Sequence, residues 1–144
     1  CMVLGGHGDS MVPIPNLSTI NGVSLPAIMG EEEIAAINDR TRNGGAEIVN
    51  LLKTGSAFYA PSAAAVAMAK AITRGEERLL PCSAWLEGQY GLDGIYMGVP
   101  VVLGRNGVER IVELELDEAG QAKLEASASA IRGDIATLEG LGLL

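Results

Sequence analysis

The chain has 144 residues, 48% of them hydrophobic, a formal net charge of −8 and one histidine. That much apolar residue supports one buried core and argues against intrinsic disorder, while ten scattered Lys and Arg in an acidic chain argue against a nucleic-acid surface or an anionic membrane as partner. Two cysteines, Cys1 and Cys82, lack metal-ligand spacing and a partner cluster, and no apolar run approaches the roughly 20 residues that span a bilayer, so no metal site, disulfide framework or membrane span is expected and a reduced, cytoplasmic setting fits.

The chain opens on Cys1-Met2-Val3-Leu4, already strand-like, without an initiator methionine or a polar lead-in, which reads as a chain cut from something longer. The strand ends in Gly5-Gly6-His7-Gly8-Asp9-Ser10-Met11-Val12-Pro13. Imidazole, with an unperturbed pKa of roughly 6.5, gives and takes a proton near neutral pH, so His7 on a glycine-rich turn is a candidate acid/base. A turn histidine with only a hydrogen-bonding task fits the same residues, and one base is not a constellation.

Met11 to Leu25 is rich in Val, Ile, Pro and Thr with a turn signal at Asn21-Gly22, which predicts extended segments joined by a tight turn. Ala27-Ile28-Met29-Gly30 is a short connection. A helix starts at Glu31, where Glu31, Glu32 and Glu33 favour the positive end of the macrodipole. Ile34, Ile37, Thr41, Ile48 and Leu52 recur at helical spacing as far as Lys53. Gly44-Gly45 interrupts that run at a cost of about 2 kcal/mol relative to alanine, which predicts two helical pieces in near continuation, or close packing on another backbone. After a break at Thr54–Ala60, Pro61 suits the first turn of an alanine-rich helix over Ser62–Ile72, expected to pack closely on the sheet and against a neighbouring subunit. Lys70 reads as a solvated face residue.

Leu79–Leu86 is apolar enough to be a buried strand, and Gln89–Gly94 a turn. Ile95–Leu103 and Val108–Leu116 flank a hairpin loop at Gly104-Arg105-Asn106-Gly107, and in the second strand Val112, Leu114 and Leu116 alternate with Glu113 and Glu115. Asp117 is a good N-cap for a last helix with the apolar stripe Leu124, Ala128, Ile131, Ile135 and Leu138, and the tail from Gly140 to Leu144 is expected to fray. The order of elements predicts an α+β domain over residues 1–144, with a mainly antiparallel sheet and packed helices. No Gly-x-Gly-x-x-Gly opens a helix, so the chain lacks that device for a dinucleotide's pyrophosphate.

The His7 run, Lys53–Pro61 and Gly98–Gly104, with Gly44–Val49 and Gly107-Val108-Glu109 between and after them, resemble the lactate/malate dehydrogenase family in order and spacing. The resemblance covers nearly the whole chain and is to the carboxy-terminal, substrate-binding half, without the amino-terminal Rossmann domain. Met11-Val12-Pro13, Thr54-Gly55-Ser56-Ala57 and Gly6 before the histidine resemble the malate branch more than the lactate branch. The resemblance implies that His7 is the catalytic acid/base for malate and oxaloacetate, with NAD as cofactor. It further implies that Ser56 lies beside the substrate, that Pro61 and Met11 line the nicotinamide pocket, and that the parent enzyme is a homo-oligomer, dimer or tetramer. For Ser56 a helix cap and for Met11 plain packing remain open.

The family's histidine is oriented by an aspartate and its dicarboxylate held by arginines that precede the strand ending at His7; neither is in this chain. Asp9 matches a different position, and Arg40, Arg42, Arg74, Arg78, Arg105, Arg110 and Arg132 match no substrate arginine and read as surface or interface charge. Two other readings stand beside malate oxidation: lactate dehydrogenase, the same chemistry on a monocarboxylate, and an inactive fragment serving only as a folding or oligomerisation module.

Overall fold

Val3–Gly5 (β1) and Met11–Pro13 (β2) pair antiparallel around the His7 turn. The computed structural model describes residues 2–143; Cys1 and Leu144, with the readings that fall on them, lie outside the described residues. Thr19–Ile20 (β3) and Val23–Ser24 (β4) form a small hairpin on Asn21-Gly22, both at positive φ (50° and 86°), as a type I′ turn requires. Glu31–Leu52 (α1) and Tyr59–Arg74 (α2) follow. Then come Arg78–Glu87 (β5), Asp93–Gly104 (β6), Gly107–Ile111 (β7) and the last helix, Glu118–Gly140 (α3).

β6 organises the sheet, whose order is β2-β1-β6-β5 with β7 also on β6. β5 takes one edge of β6 along its length, while β1 meets the other at Gly98 and β7 takes that edge from Val101 to Gly104. All these pairings are antiparallel. Val99, Val101 and Leu103 join Leu4, Leu86 and Met97 in a core closed by Ala71 of α2 and by Leu124 and Ala128 of α3.

Several expectations need correction. α1 runs unbroken through Gly44-Gly45, and a Cβ on either glycine would meet nothing within 4 Å. An exposed fork from Arg40 to Glu47, with Nε–Oε2 at 3.1 Å and Nη2–Oε1 at 2.9 Å, spans the pair over two turns. Of its apolar stripe only Ile34 is buried; Ile37, Ile48 and Leu52 are exposed because no other described element covers them. α2 similarly buries Ala71 and leans Met68 and Ile72 on the core, leaving its remaining small residues largely open. β5 is not buried throughout: Ala84 and Leu86 face the core, while Leu79 and Trp85 stand exposed on the other face, Trp85 edge-on to its cross-strand partner Tyr96 at 5.1 Å.

The last strand ends at Ile111, earlier than Leu116, although Val112, Leu114 and Leu116 stay half-buried and Glu113 and Glu115 exposed. Gly142, at φ 69°, closes α3 with Gly142 N–H on the Glu139 carbonyl and Leu143 N–H on that of Leu138, a Schellman closure. Asp117 caps α3 as expected, its Oδ1 accepting from Gly120 N at 2.7 Å.

The connection into α3 is held by Tyr90, a bulky residue at φ 56° in the turn after β5. Its hydroxyl donates to the Val112 carbonyl (2.9 Å) and accepts from Leu114 N–H (3.0 Å), while its own N–H donates to Glu113 Oε2 (2.7 Å). Burial pushes the Tyr90 phenol up from its ordinary pKa, so it stays protonated and able to donate. Y90F leaves that carbonyl and amide without their partner, and should lower the unfolding free energy by about 1–3 kcal/mol in urea titration with little change in the denaturant slope.

Candidate active site

The corner that carries His7 is built from backbone. Gly5 sits at φ 83° and Gly8 at φ 68°, in the left-handed region that β-carbons disfavour. Opposite Gly5, a Cβ on Gly98 would run into the Gly5 carbonyl oxygen, and a Cβ on Gly5 would stand 2.6 Å from Ser127 Oγ and 2.8 Å from the Ser10 carbonyl. The chain can therefore pass between β6 and α3 only as glycine. It emerges at His7 in extended conformation (φ −99°, ψ 147°) and enters the short 3-10 turn Gly8–Ser10.

His7 is exposed, and its carbonyl accepts from the Ser10 hydroxyl at 3.3 Å. Among the described residues no ion pair reaches its imidazole. His7 and half-buried Met11 line one cleft of about 330 Å³, whose walls include Val3, Tyr96, Gly98 and Ile131. The same cleft contains Cys82, whose thiol is pushed up by burial and lies 3.5 Å from the Met68 sulfur, so it is a poor source of thiolate for nucleophilic chemistry. The cleft is thus an apolar slot with one proton-transfer group at its mouth.

Ser56 and Pro61 are placed elsewhere. Ser56 is exposed in the loop between α1 and α2, Pro61 is exposed in the first turn of α2, and neither lines the His7 cleft. None of the seven arginines lines it either. Arg40, Arg74 and Arg132 form exposed pairs with Glu47, Glu76 and Glu125. Arg42 departs from the surface reading: its Nε donates to the Met11 carbonyl at 3.2 Å, tying α1 to the strand that leaves the His7 turn.

One residue of this corner escapes the sequence reading. Ser127, buried on α3, accepts from Gly6 N–H at 2.9 Å and donates to the Ser10 carbonyl at 2.7 Å. Its signal was a hydroxyl set into the otherwise apolar stripe Leu124, Ala128, Ile131, where a polar group needs a partner.

Residues 1–140 match the family of the lactate/malate dehydrogenase, alpha/beta C-terminal domain, and the chain belongs to the lactate/malate dehydrogenase family as that domain. It is 55% identical over 140 residues to the malate dehydrogenase of Roseiflexus sp. (strain RS-1), covering 97% of this chain and 45% of that protein. The fold superposes on the malate dehydrogenase of Salinibacter ruber with a TM-score of 0.92 at 43% identity, over 98% of this chain and 47% of that one. It matches the lactate dehydrogenase of Cryptosporidium parvum, complexed with lactic acid and nicotinamide adenine dinucleotide, with a TM-score of 0.92 at 41% identity, over 95% of this chain and 45% of that one. The chain therefore spans a little under half the length of these relatives. Among the described residues no helix is long and apolar enough to cross a membrane.

The glycine contact yields a direct test. G98A must push β1 off β6 where two backbones meet, so it should cost about 1–3 kcal/mol in denaturant titration, the range of an overpacked core. G107A is the contrasting control: its Cβ would meet nothing within 4 Å, and its penalty would come from φ 95° alone.

Proposed function

We propose that this chain is the single substrate-binding domain of an NAD-dependent malate dehydrogenase, interconverting L-malate and oxaloacetate with His7 as proton acceptor and donor. The observation that carries the reading is an exposed imidazole on a backbone-clamped turn at the mouth of an apolar cleft. In the oxidative direction neutral His7 accepts the proton of the 2-hydroxyl as hydride leaves the same carbon; in reverse the imidazolium donates to the ketone oxygen of oxaloacetate. NAD supplies the hydride acceptor. The walls at Met11, Tyr96 and Gly98 suit a flat ring, but no residue near them suits a pyrophosphate, so the rest of the cofactor belongs on a preceding nucleotide-binding domain.

Met11 lines the cleft beside the proposed nicotinamide position, while Ser56 beside the substrate and Pro61 beside the nicotinamide stand outside this cleft and join the proposed site only from the exposed α1–α2 segment. With no arginine on the cleft and a net charge of −8, the 144 residues alone hold a dianion poorly, so by themselves they should bind neither NAD nor malate measurably. The orienting aspartate and the substrate arginines are assigned to the preceding part of a longer subunit. The exposed apolar residues of α1, among them Leu51 at 75%, favour burial against that part and a second subunit in a homo-oligomer. The compartment that fits is the cytoplasm, with no nucleic acid or membrane as partner. Lactate dehydrogenase is the second reading, favoured by the Cryptosporidium parvum likeness.

A joined enzyme tests this: the part of the Roseiflexus malate dehydrogenase that precedes its matching region, fused ahead of Cys1. It should oxidise NADH with oxaloacetate far faster than with pyruvate, and H7N should lose about 10²–10⁴-fold in kcat. Faster turnover of pyruvate would move the assignment to lactate, near-normal turnover by H7N would remove His7 from the chemistry, and NADH oxidation by the isolated 144 residues would restore the site to this chain alone.

A further inference from the structure

The Ser127 hydroxyl touches the backbone on both sides of His7. Gly6, whose N–H it accepts, immediately precedes the histidine, and Ser10, whose carbonyl it receives, closes the 3-10 turn that follows. Ser127 is 3% exposed, so water does not readily substitute for either bond. A hydroxyl donates and accepts at once, which no aliphatic side chain does and a thiol does only weakly. The glycine corner at Gly5 and Gly98 fixes where the chain crosses β6 but leaves Gly6 to Ser10 to be held from the other side, and the side chain that reaches them there comes from α3.

We infer that Ser127 is a positioning residue for His7: its hydroxyl staples the two ends of the turn to α3 and so sets the imidazole against the cleft that Met11 lines. The inference rests on the assignment of His7 as the proton-transfer group. It goes further, because it makes the terminal helix a determinant of turnover and not only of stability. Arg42 on the Met11 carbonyl holds the departing strand from the α1 side, so loss of Ser127 frees the turn locally while β2 stays in place.

The test uses S127A and S127T in the joined enzyme, together with amide hydrogen exchange of Gly6 in the 144-residue chain. S127A should lower kcat for oxaloacetate by roughly tenfold to a hundredfold with KM little changed, as expected when a reacting group is displaced by about 1 Å. It should also strip Gly6 N–H of its exchange protection, and S127T should restore both. A near-parental kcat in S127A despite lost Gly6 protection makes Ser127 merely structural and overturns the inference, as does retained Gly6 protection. Should S127A fail to fold, S127C keeps the volume with a weaker donor and acceptor and carries the same expectations. An unsubstituted joined enzyme without turnover would instead count against the function proposed for the chain. In that case the His7 imidazole resonance of the 144-residue chain decides the inference: it should shift or broaden in S127A, and an unchanged line overturns it.

Discussion

At the crossing of β1 and β6 two glycine backbones meet with no space for a methyl group, and the direction in which the chain leaves that crossing decides where its only histidine stands. Gly5 at φ 83° turns the strand out of the sheet within one residue. A side chain on Gly98 would have widened the gap between β1 and β6, and one on Gly5 would have run into Ser127 and the Ser10 carbonyl. Because both partners are backbone there is no rotamer to yield, and an interior this tightly packed passes a displacement on to its neighbours. The precision of the His7 turn is therefore obtained from steric exclusion on the sheet side and hydrogen bonding on the α3 side.

The remainder of the architecture supports that corner at a distance. β6, paired with β5 along one edge and with β1 and β7 along the other, carries Gly98. Tyr90 and Glu113 hold the extended run after β7, Asp117 caps the helix that begins there, and α3 then delivers Ser127 to the turn nearly three helical turns further on. The chain's two ends are thus joined through polar contacts of long sequence separation, whereas α1 and α2 extend away from the core with much of their apolar surface open. The long-range hydrogen bonds gather around the histidine turn, while the loop that carries Ser56 is exposed.

What could be read from residues alone follows from this division. Asn21-Gly22, the Gly104–Gly107 hairpin and the Asp117 cap are local devices, in which a dipeptide or a single side chain satisfies its own neighbours, and each was legible. The histidine stood out because it was alone of its kind on a glycine turn. Gly44-Gly45 misled because propensity was weighed without the Arg40–Glu47 fork that spans the pair, and β5 misled because burial depends on what faces a strand, not on its composition. Ser127 could not be placed in advance: its partners lie 121 and 117 residues earlier, and only the folded chain brings a mid-helix hydroxyl to them.

In the proposed function the chemistry is divided between surfaces as well. A proton-transfer group must be held closely in place but needs little charge around it, and an apolar slot with a rigid turn at its mouth meets that need. Holding a dicarboxylate is the opposite task. It calls for bidentate guanidinium groups that approach the substrate from outside, and in this chain Arg40, Arg74 and Arg132 pair with glutamates, Arg42 with a backbone carbonyl, and none of the seven arginines lines the cleft. A domain with a net charge of −8 and such a slot is suited to finish a reaction on an anion delivered and neutralised by another surface, not to capture that anion from solution. Charge recognition and proton transfer thus fall on separate surfaces. Under the proposed function a complete site exists only where those two surfaces meet, which would keep water from the hydride-transfer step.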